Sequence, residues 1–292
     1  MSSFRTTIQD WVTLTKPRVS FLVLVTVIPA IYLGNDHRGE ISFSFLGIVL
    51  LGTLLMSSAS FILNQYIERE RDAKMYRTKE RPIPSGSVSP NTALIVGIGL
   101  VIASFVLLYN QINLLTALCA FGAFLGYIFL YTIFLKPRTD QNIVIGGIAG
   151  CVGPLIGYAA TTNALPVSAW VLFLMIFVWT PAHFWALAIF LSDDYDRAGI
   201  PMLPVTKGID NTVQQIIFYS VLYIATIVGF YFVNSSMHLV YLFGSILLSV
   251  WFLALVYKLY KLKTKQFAKK FFFYSILHLF LVNILILIDF QF

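Results

Sequence analysis

Apolar runs of 16 to 25 residues follow one another along the whole chain, separated by short polar breaks. About 20 apolar residues span a bilayer as a helix. Nine membrane helices are therefore predicted, over 19–34, 43–63, 92–109, 113–135, 143–161, 167–191, 212–233, 238–257 and 271–290. The expected fold class is an all-α polytopic membrane protein, with residues 1–292 forming a single membrane domain.

Composition sharpens that picture. Of the 292 residues 58% are hydrophobic and only 11% charged, with a mean hydropathy of +0.82. Soluble proteins carry about 25% charge, so a soluble enzyme and a disordered chain are both excluded. With the N-terminus placed in the cytoplasm, 19 of the 20 lysines and arginines fall on the inner side and only Arg38 lies outside. This satisfies the positive-inside rule and puts the C-terminus outside. The net charge of +7 thus follows from topology. Nucleic acid is not expected as a partner, because no basic domain interleaved with aromatics is present, whereas membrane lipid is. Cys119 and Cys151 lie in different apolar runs, where a thiol acts as a small hydrophobe. The first 19 residues show neither the apolar stretch of a signal peptide nor the acid-free pattern of a transit peptide. A bacterial inner membrane is the expected location.

The outer loops are short and nearly uncharged, but seven of the thirteen carboxylates crowd into two inner loops. The first loop reads NQYIERERDAKMYRTKERPIPSG, residues 64–86. If the second span continues as a helix, Asn64, Glu68 and Asp72 share one face at i, i+4 and i+8. Glu68 and Asp72 then form a like-charge pair that costs roughly 0.2–0.5 kcal/mol in a bare helix. A divalent cation offsets that repulsion, and hard oxygen ligands with room left for phosphate oxygens suit Mg2+. Downstream, Arg77 and Arg81 offer charge-assisted donors to phosphate.

The sequence Asn-x-x-x-Glu-x-x-x-Asp, followed by arginine and then Arg81-Pro82, resembles the first signature of the UbiA-type intramembrane prenyltransferase superfamily. The resemblance implies nine membrane helices, with Asn64, Glu68 and Asp72 binding Mg2+ and Arg77 and Arg81 holding the diphosphate of an isoprenyl donor. The second loop, in WTPAHFWALAIFLSDDYDRAGIPMLPVTKG at 179–208, lacks the two aspartates four apart that many members carry. Asp193 and Asp194 are its expected metal ligands, and Arg197 and Lys207 its expected diphosphate partners. The words TPAHFWALAI and DDYDRAGIPMLPV, with LTKPRV at 14–19, YTIFLKPRTDQNIVIGGIAG at 131–150 and GPLIGYAA at 153–160, are similar to the haem-farnesylating branch of that superfamily.

That likeness implies transfer of a farnesyl group from farnesyl diphosphate to a vinyl group of protohaem IX, with water added, and a site open to the cytoplasm. It also implies haem-handling partners in terminal oxidase assembly. His183, in the sixth span, is an intramembrane ionisable residue and so a candidate haem contact; His278, in the ninth, is a weaker one. Lys136, Arg138 and Asn142 border the inner face and could meet haem propionates. Gly146, Gly150, Gly153 and Gly157 read as close helix packing. A quinone-precursor prenyltransferase, an ion-coupled transporter and a haem-binding factor without catalysis are the competing readings. A transporter site belongs near the bilayer midplane, whereas these acids crowd at one surface.

Overall fold

The computed structural model describes residues 2–35, 39–76 and 78–290. Among them nine helices are long and apolar enough to cross a membrane, in the order the hydropathy pattern predicts. The helices are α1 (Ser2–Thr15), α2 (Pro17–Asn35), α3 (Phe43–Asp72), α4 (Pro90–Gln111), α5 (Leu114–Leu125) and, beyond a five-residue α6 (Asn142–Gly146), α7 (Gly153–Thr162). There follow α8 (Val167–Phe190), the short α9 (Ser192–Arg197) and α10 (Leu203–Thr206), then α11 (Gly208–Val233), α12 (Leu239–Leu262) and α13 (Lys265–Asp289).

Local chemistry sets most boundaries. Ser42, Ser89, Asn113 and Thr264 each accept a hydrogen bond from the backbone N–H three residues on, at 2.8–3.3 Å, opening α3, α4, α5 and α13. At the start of α12 the cap comes from elsewhere in the chain. Asp289, fully buried, accepts from the backbone N–H groups of His238 at 2.6 Å and Tyr241 at 2.7 Å. An acidic group at a helix N-terminus is favoured by the exposed N–H groups there. Asp289→Ala leaves both donors without an acceptor and is expected to lower stability by about 2–4 kcal/mol. Thermal unfolding in detergent would measure it, and Asp289→Asn is expected to retain part of the loss.

Three features depart from the hydropathy reading. The N-terminal segment before the first span forms α1, with Ile8 and Val12 exposed and Leu14 buried against Ile62 and Ile83. Gln65 Nε2 donates to the Leu14 carbonyl at 2.9 Å, tying α1 to α3. The fourth span continues past α5 as a π-helix, Gly126–Leu135, and the fifth is interrupted by a 3-10 turn, Gly147–Cys151.

Glycine packing is confirmed at three of the four positions. A methyl on Gly157 would stand 2.6 Å from Ala30 Cβ on α2, one on Gly153 would meet the Thr26 hydroxyl, and one on Gly146 the Tyr131 ring. Gly150 differs, for nothing lies within 4 Å of a Cβ placed there. It faces a cavity.

Candidate active site

The second span does continue as a helix, and α3 runs to Asp72. Asn64, Glu68 and Asp72 lie on one face of it, each 3–4% exposed. All three line a cavity of about 440 Å³ enclosed by α2, α3, α5, α8 and α13. Glu68 and Asp72 also line a smaller polar cleft of about 120 Å³, bounded by Lys136, Pro137 and the 198–200 loop.

Asn64 and Glu68 are held from across the fold, Asp72 from the loop that follows α3. Asn64 Nδ2 donates to Thr132 Oγ1 at 3.1 Å, which fixes the amide and leaves Oδ1 as its acceptor face. Lys136 Nζ donates to Glu68 Oε2 at 2.7 Å. Arg81 donates to Asp72 Oδ2 at 2.7 Å, so the Asp72 carboxylate keeps a second oxygen beyond this pair. The partners 132 and 136 sit at the same offset from 64 and 68, because α3 and the end of the fourth span run parallel.

The π-helix explains why Lys136 reaches the site. Five residues of α-helix would carry it roughly 140° around from Tyr131. Here Lys136 N–H donates instead to the Tyr131 carbonyl, five residues back, at 2.9 Å. The wider turn stacks Lys136 over Tyr131, with Nζ 5.9 Å from the ring centroid. The Gly146 notch seats that ring. Tyr131 stacks on Tyr127, which meets Phe61 edge to face, so an aromatic wall adjoins the acidic face.

Lys16 completes the charged end. Its φ of +47° is a left-handed conformation costing about 1–2 kcal/mol for a side-chain-bearing residue, and its carbonyl accepts from Val19 and Ser20 to open α2. Half-buried on the cavity wall, its ammonium loses hydration and faces Arg81 and Lys136, which together push its pKa down to about 7. Arg81, Lys136 and, when protonated, Lys16 thus surround two carboxylates, and a polyanion entering there would favour the protonated Lys16.

Lys16 was legible in the sequence only as a topology charge, and Lys136 only as a topology charge or a propionate contact. The pattern LKP at 135–137 carries no hint of its partner, which depends on the π-helix. Arg138 is exposed and donates to the Ile133 and Phe134 carbonyls, and Asn142 donates to the Thr139 carbonyl. Thr132, Tyr127 and Tyr131 also escaped the sequence reading, being ordinary residues of an apolar run.

The remaining predicted residues lie elsewhere. Arg77 is outside the described residues. Asp193, 77% exposed at its side chain, pairs with Lys265 at 2.7 Å, which holds its carboxyl below the usual range. Asp194 pairs with Arg197 at 2.5 Å. Neither aspartate lines the cavity, and Arg197 and Lys207 are exposed. The second loop contributes Tyr195, Ile200 and Met202 to the wall instead.

At the α8–α13 side the cavity is aromatic. His183 lies between Trp179 and Phe272, ring centroids 4.3 Å away on both faces, and meets Phe184 edge-on. Its Nδ1 is 2.7 Å from Ser275 Oγ, while that hydroxyl donates to the Phe272 carbonyl at 2.7 Å. The single serine proton being used, Nδ1 must carry the hydrogen, and the lone pair sits on Nε2. His278 is different: Nε2 donates to the Leu248 carbonyl at 2.9 Å and Nδ1 accepts from Tyr223 at 3.0 Å. Both nitrogens serve packing. Val19 and Phe184 line the cavity yet are 45% and 43% exposed, so the cavity reaches the lipid-facing surface.

Residues 23–281 match the model of the UbiA prenyltransferase family. The chain belongs to that family. Protoheme IX farnesyltransferase of Leptospira biflexa is 62% identical over 279 residues, covering 96% of this chain and 98% of the relative. The protein of the same name from Leptospira interrogans is 58% identical over 280 residues, covering 96% of both. Among solved structures, a UbiA homolog from Archaeoglobus fulgidus bound to DMAPP and Mg2+ superposes with a TM-score of 0.70 at 16% identity, over 95% of this chain and 98% of that one. A digeranylgeranylglyceryl phosphate synthase superposes with a TM-score of 0.79 at 18% identity, each chain 99% covered. At such identities the agreement concerns the fold. This UbiA-family chain is a multi-pass prenyltransferase with a polar site at one end of a lipid-accessible cavity.

Proposed function

We propose that the chain transfers the farnesyl group of farnesyl diphosphate to a vinyl group of protohaem IX, with addition of water, to give haem O and diphosphate. The observation carrying this reading is the cavity itself, in which an acidic face ringed by cations meets an aromatic, lipid-accessible chamber containing His183. The names of the Leptospira relatives support it. In this reading residues 1–292 form one domain in the bacterial inner membrane, with the basic loops and the site on the cytoplasmic side. Its product then serves haem-handling partners of terminal oxidase assembly.

The donor set fits Mg2+. Asn64 presents Oδ1, and Glu68 and Asp72 present carboxylates, all hard oxygens on one face. When bound, Mg2+ supplies Lewis-acid stabilisation of charge on the leaving diphosphate. Lys136 and Arg81, with Lys16 when it is protonated, add positive charge at the same place, where low dielectric strengthens it. Asp193 and Asp194 would join the metal only by giving up Lys265 and Arg197, and Arg77, Arg197 and Lys207 would serve as further diphosphate partners. Phe61, Tyr127 and Tyr131 present ring faces that favour an allylic cation, and the apolar walls keep bulk water from it. His183 offers Nε2 to the haem iron while Trp179 and Phe272 hold its ring.

Two tests follow. Supplied separately with protohaem and with an aromatic quinone precursor, the purified protein should prenylate only the haem; prenylation of the quinone precursor alone would overturn the acceptor assignment. The second concerns Lys16. Above pH 7 it is neutral in the free chain, so binding a diphosphate there requires proton uptake. Donor affinity is expected to fall as pH rises above 7, by up to about tenfold per pH unit. Lys16→Met should flatten that profile in a binding titration.

A further inference from the structure

The donor site as read above leaves open what measures the length of the prenyl tail. On the donor side, the residues that line the cavity end part-way along three helices. On α3 the lining face runs from Asp72 through Asn64, Ser60 and Met56 and ends at Thr53. On α2 it ends at Thr26, and on the α5 side at Ala120. Below that level the interior is solid: Val27, Val49, Leu108 and Ala117 are all fully buried in one apolar cluster. Gly153 closes against Thr26 at the same depth, so the floor is made of packed backbone as well as side chains.

The available depth follows from helix geometry. Glu68, where the diphosphate sits, to Thr53 is fifteen residues of helix, or about 22 Å at 1.5 Å per residue. A twelve-carbon main chain, three isoprene units, spans roughly 14 Å when its bonds of about 1.5 Å are projected along a zigzag, and the diphosphate adds roughly 6 Å. A fourth unit would overrun the floor. A donor with its diphosphate among Glu68, Asp72 and Lys136 therefore extends its tail down α3 and ends beside Met56, Ala123 and Thr53.

We infer that Ala123 and Met56 set the prenyl length this chain accepts, Ala123 by leaving room for the terminal isoprene and Met56 by narrowing the end of the lumen above Thr53. Ala123 is half-buried on the cavity wall, so a larger side chain there projects into the lumen. Met56, 3% exposed, is flexible and unbranched, and its truncation widens the end of the cavity that Thr53 also lines. Gly150, with no atom within 4 Å of an added Cβ, lines the same wall and offers a second place to narrow the lumen. The inference rests on the donor reading of the cavity and on nothing about the acceptor.

The test uses the C10, C15 and C20 prenyl thiolodiphosphates, which bind without ionising, titrated with Mg2+ into the detergent-solubilised full chain. The unaltered chain should prefer C15. Ala123→Leu, and independently Gly150→Leu, should move preference toward C10 by about tenfold or more, and Met56→Ala toward C20 by a similar factor. Inorganic diphosphate should bind all four proteins equally, showing that each is folded at the polar end. An order of affinity unmoved by any variant would overturn the inference while leaving the donor site intact. Binding of none of the three analogues by the unaltered chain would overturn the donor reading and the inference together.

Discussion

Asp72→Ala and Asp72→Asn are expected to reduce prenyl transfer by about a thousandfold while the protein remains folded. Asp72 is the last of the three oxygen donors, at the end of α3, 3% exposed, and its carboxylate lies against Arg81. Its loss removes a proposed metal oxygen and releases Arg81 into a cluster that already holds Lys16 and Lys136. Removing one preorganised group from a developing charge costs about 10²–10³ in rate, and loss of the metal compounds it. The structural cost is smaller, about 1–3 kcal/mol, since the Arg81 side chain is 24% exposed and can turn toward water in the cavity. Turnover and thermal unfolding measured on the same preparations separate the two effects. Arg81→Ala should also impair transfer, but with a raised donor KM. Full activity in either Asp72 variant would remove the acidic face from the mechanism.

His183→Gln is expected to raise the KM for haem at least tenfold with donor affinity unmoved. The histidine is gripped on both ring faces and its Nδ1 is committed to Ser275, so Nε2 is presented in one direction. A ligand held in that way contributes through geometry as well as through basicity. The iron also reports directly: the absorption spectrum of bound haem should shift from the histidine-ligated form, and Ser275→Ala, which releases the ring, should show an intermediate change. An unchanged haem spectrum in His183→Gln would make the residue part of the wall only. His278→Gln, in contrast, should affect stability and leave the spectrum alone, because both its nitrogens are engaged within the helix bundle.

Much of this was legible in the sequence for definite reasons. The spans follow from transfer of apolar residues out of water, which depends on local composition alone, and among the described residues nine were found where nine were predicted. The Asn64, Glu68, Asp72 face follows from helical periodicity and needed only the continuation of α3. What stayed hidden depends on contacts across the fold. Lys136 reaches Glu68 because a π-turn resets its direction, and no residue in YIFLYTIFLK announces that turn. Asp193 and Asp194 were expected as metal ligands from the family resemblance, and nothing in the loop announced their pairs with Lys265 and Arg197 or that neither lines the cavity. The tautomer of His183 depends on Ser275, 92 residues away.

The central claim is tested most directly by incubating the purified protein in nanodiscs with protohaem, farnesyl diphosphate and Mg2+, with an EDTA control, and analysing the pigment by mass spectrometry. The account predicts a metal-dependent product with the mass of protohaem plus a farnesyl group and a hydroxyl. Unaltered protohaem in both samples, from protein shown to be folded and to bind farnesyl diphosphate, would contradict it.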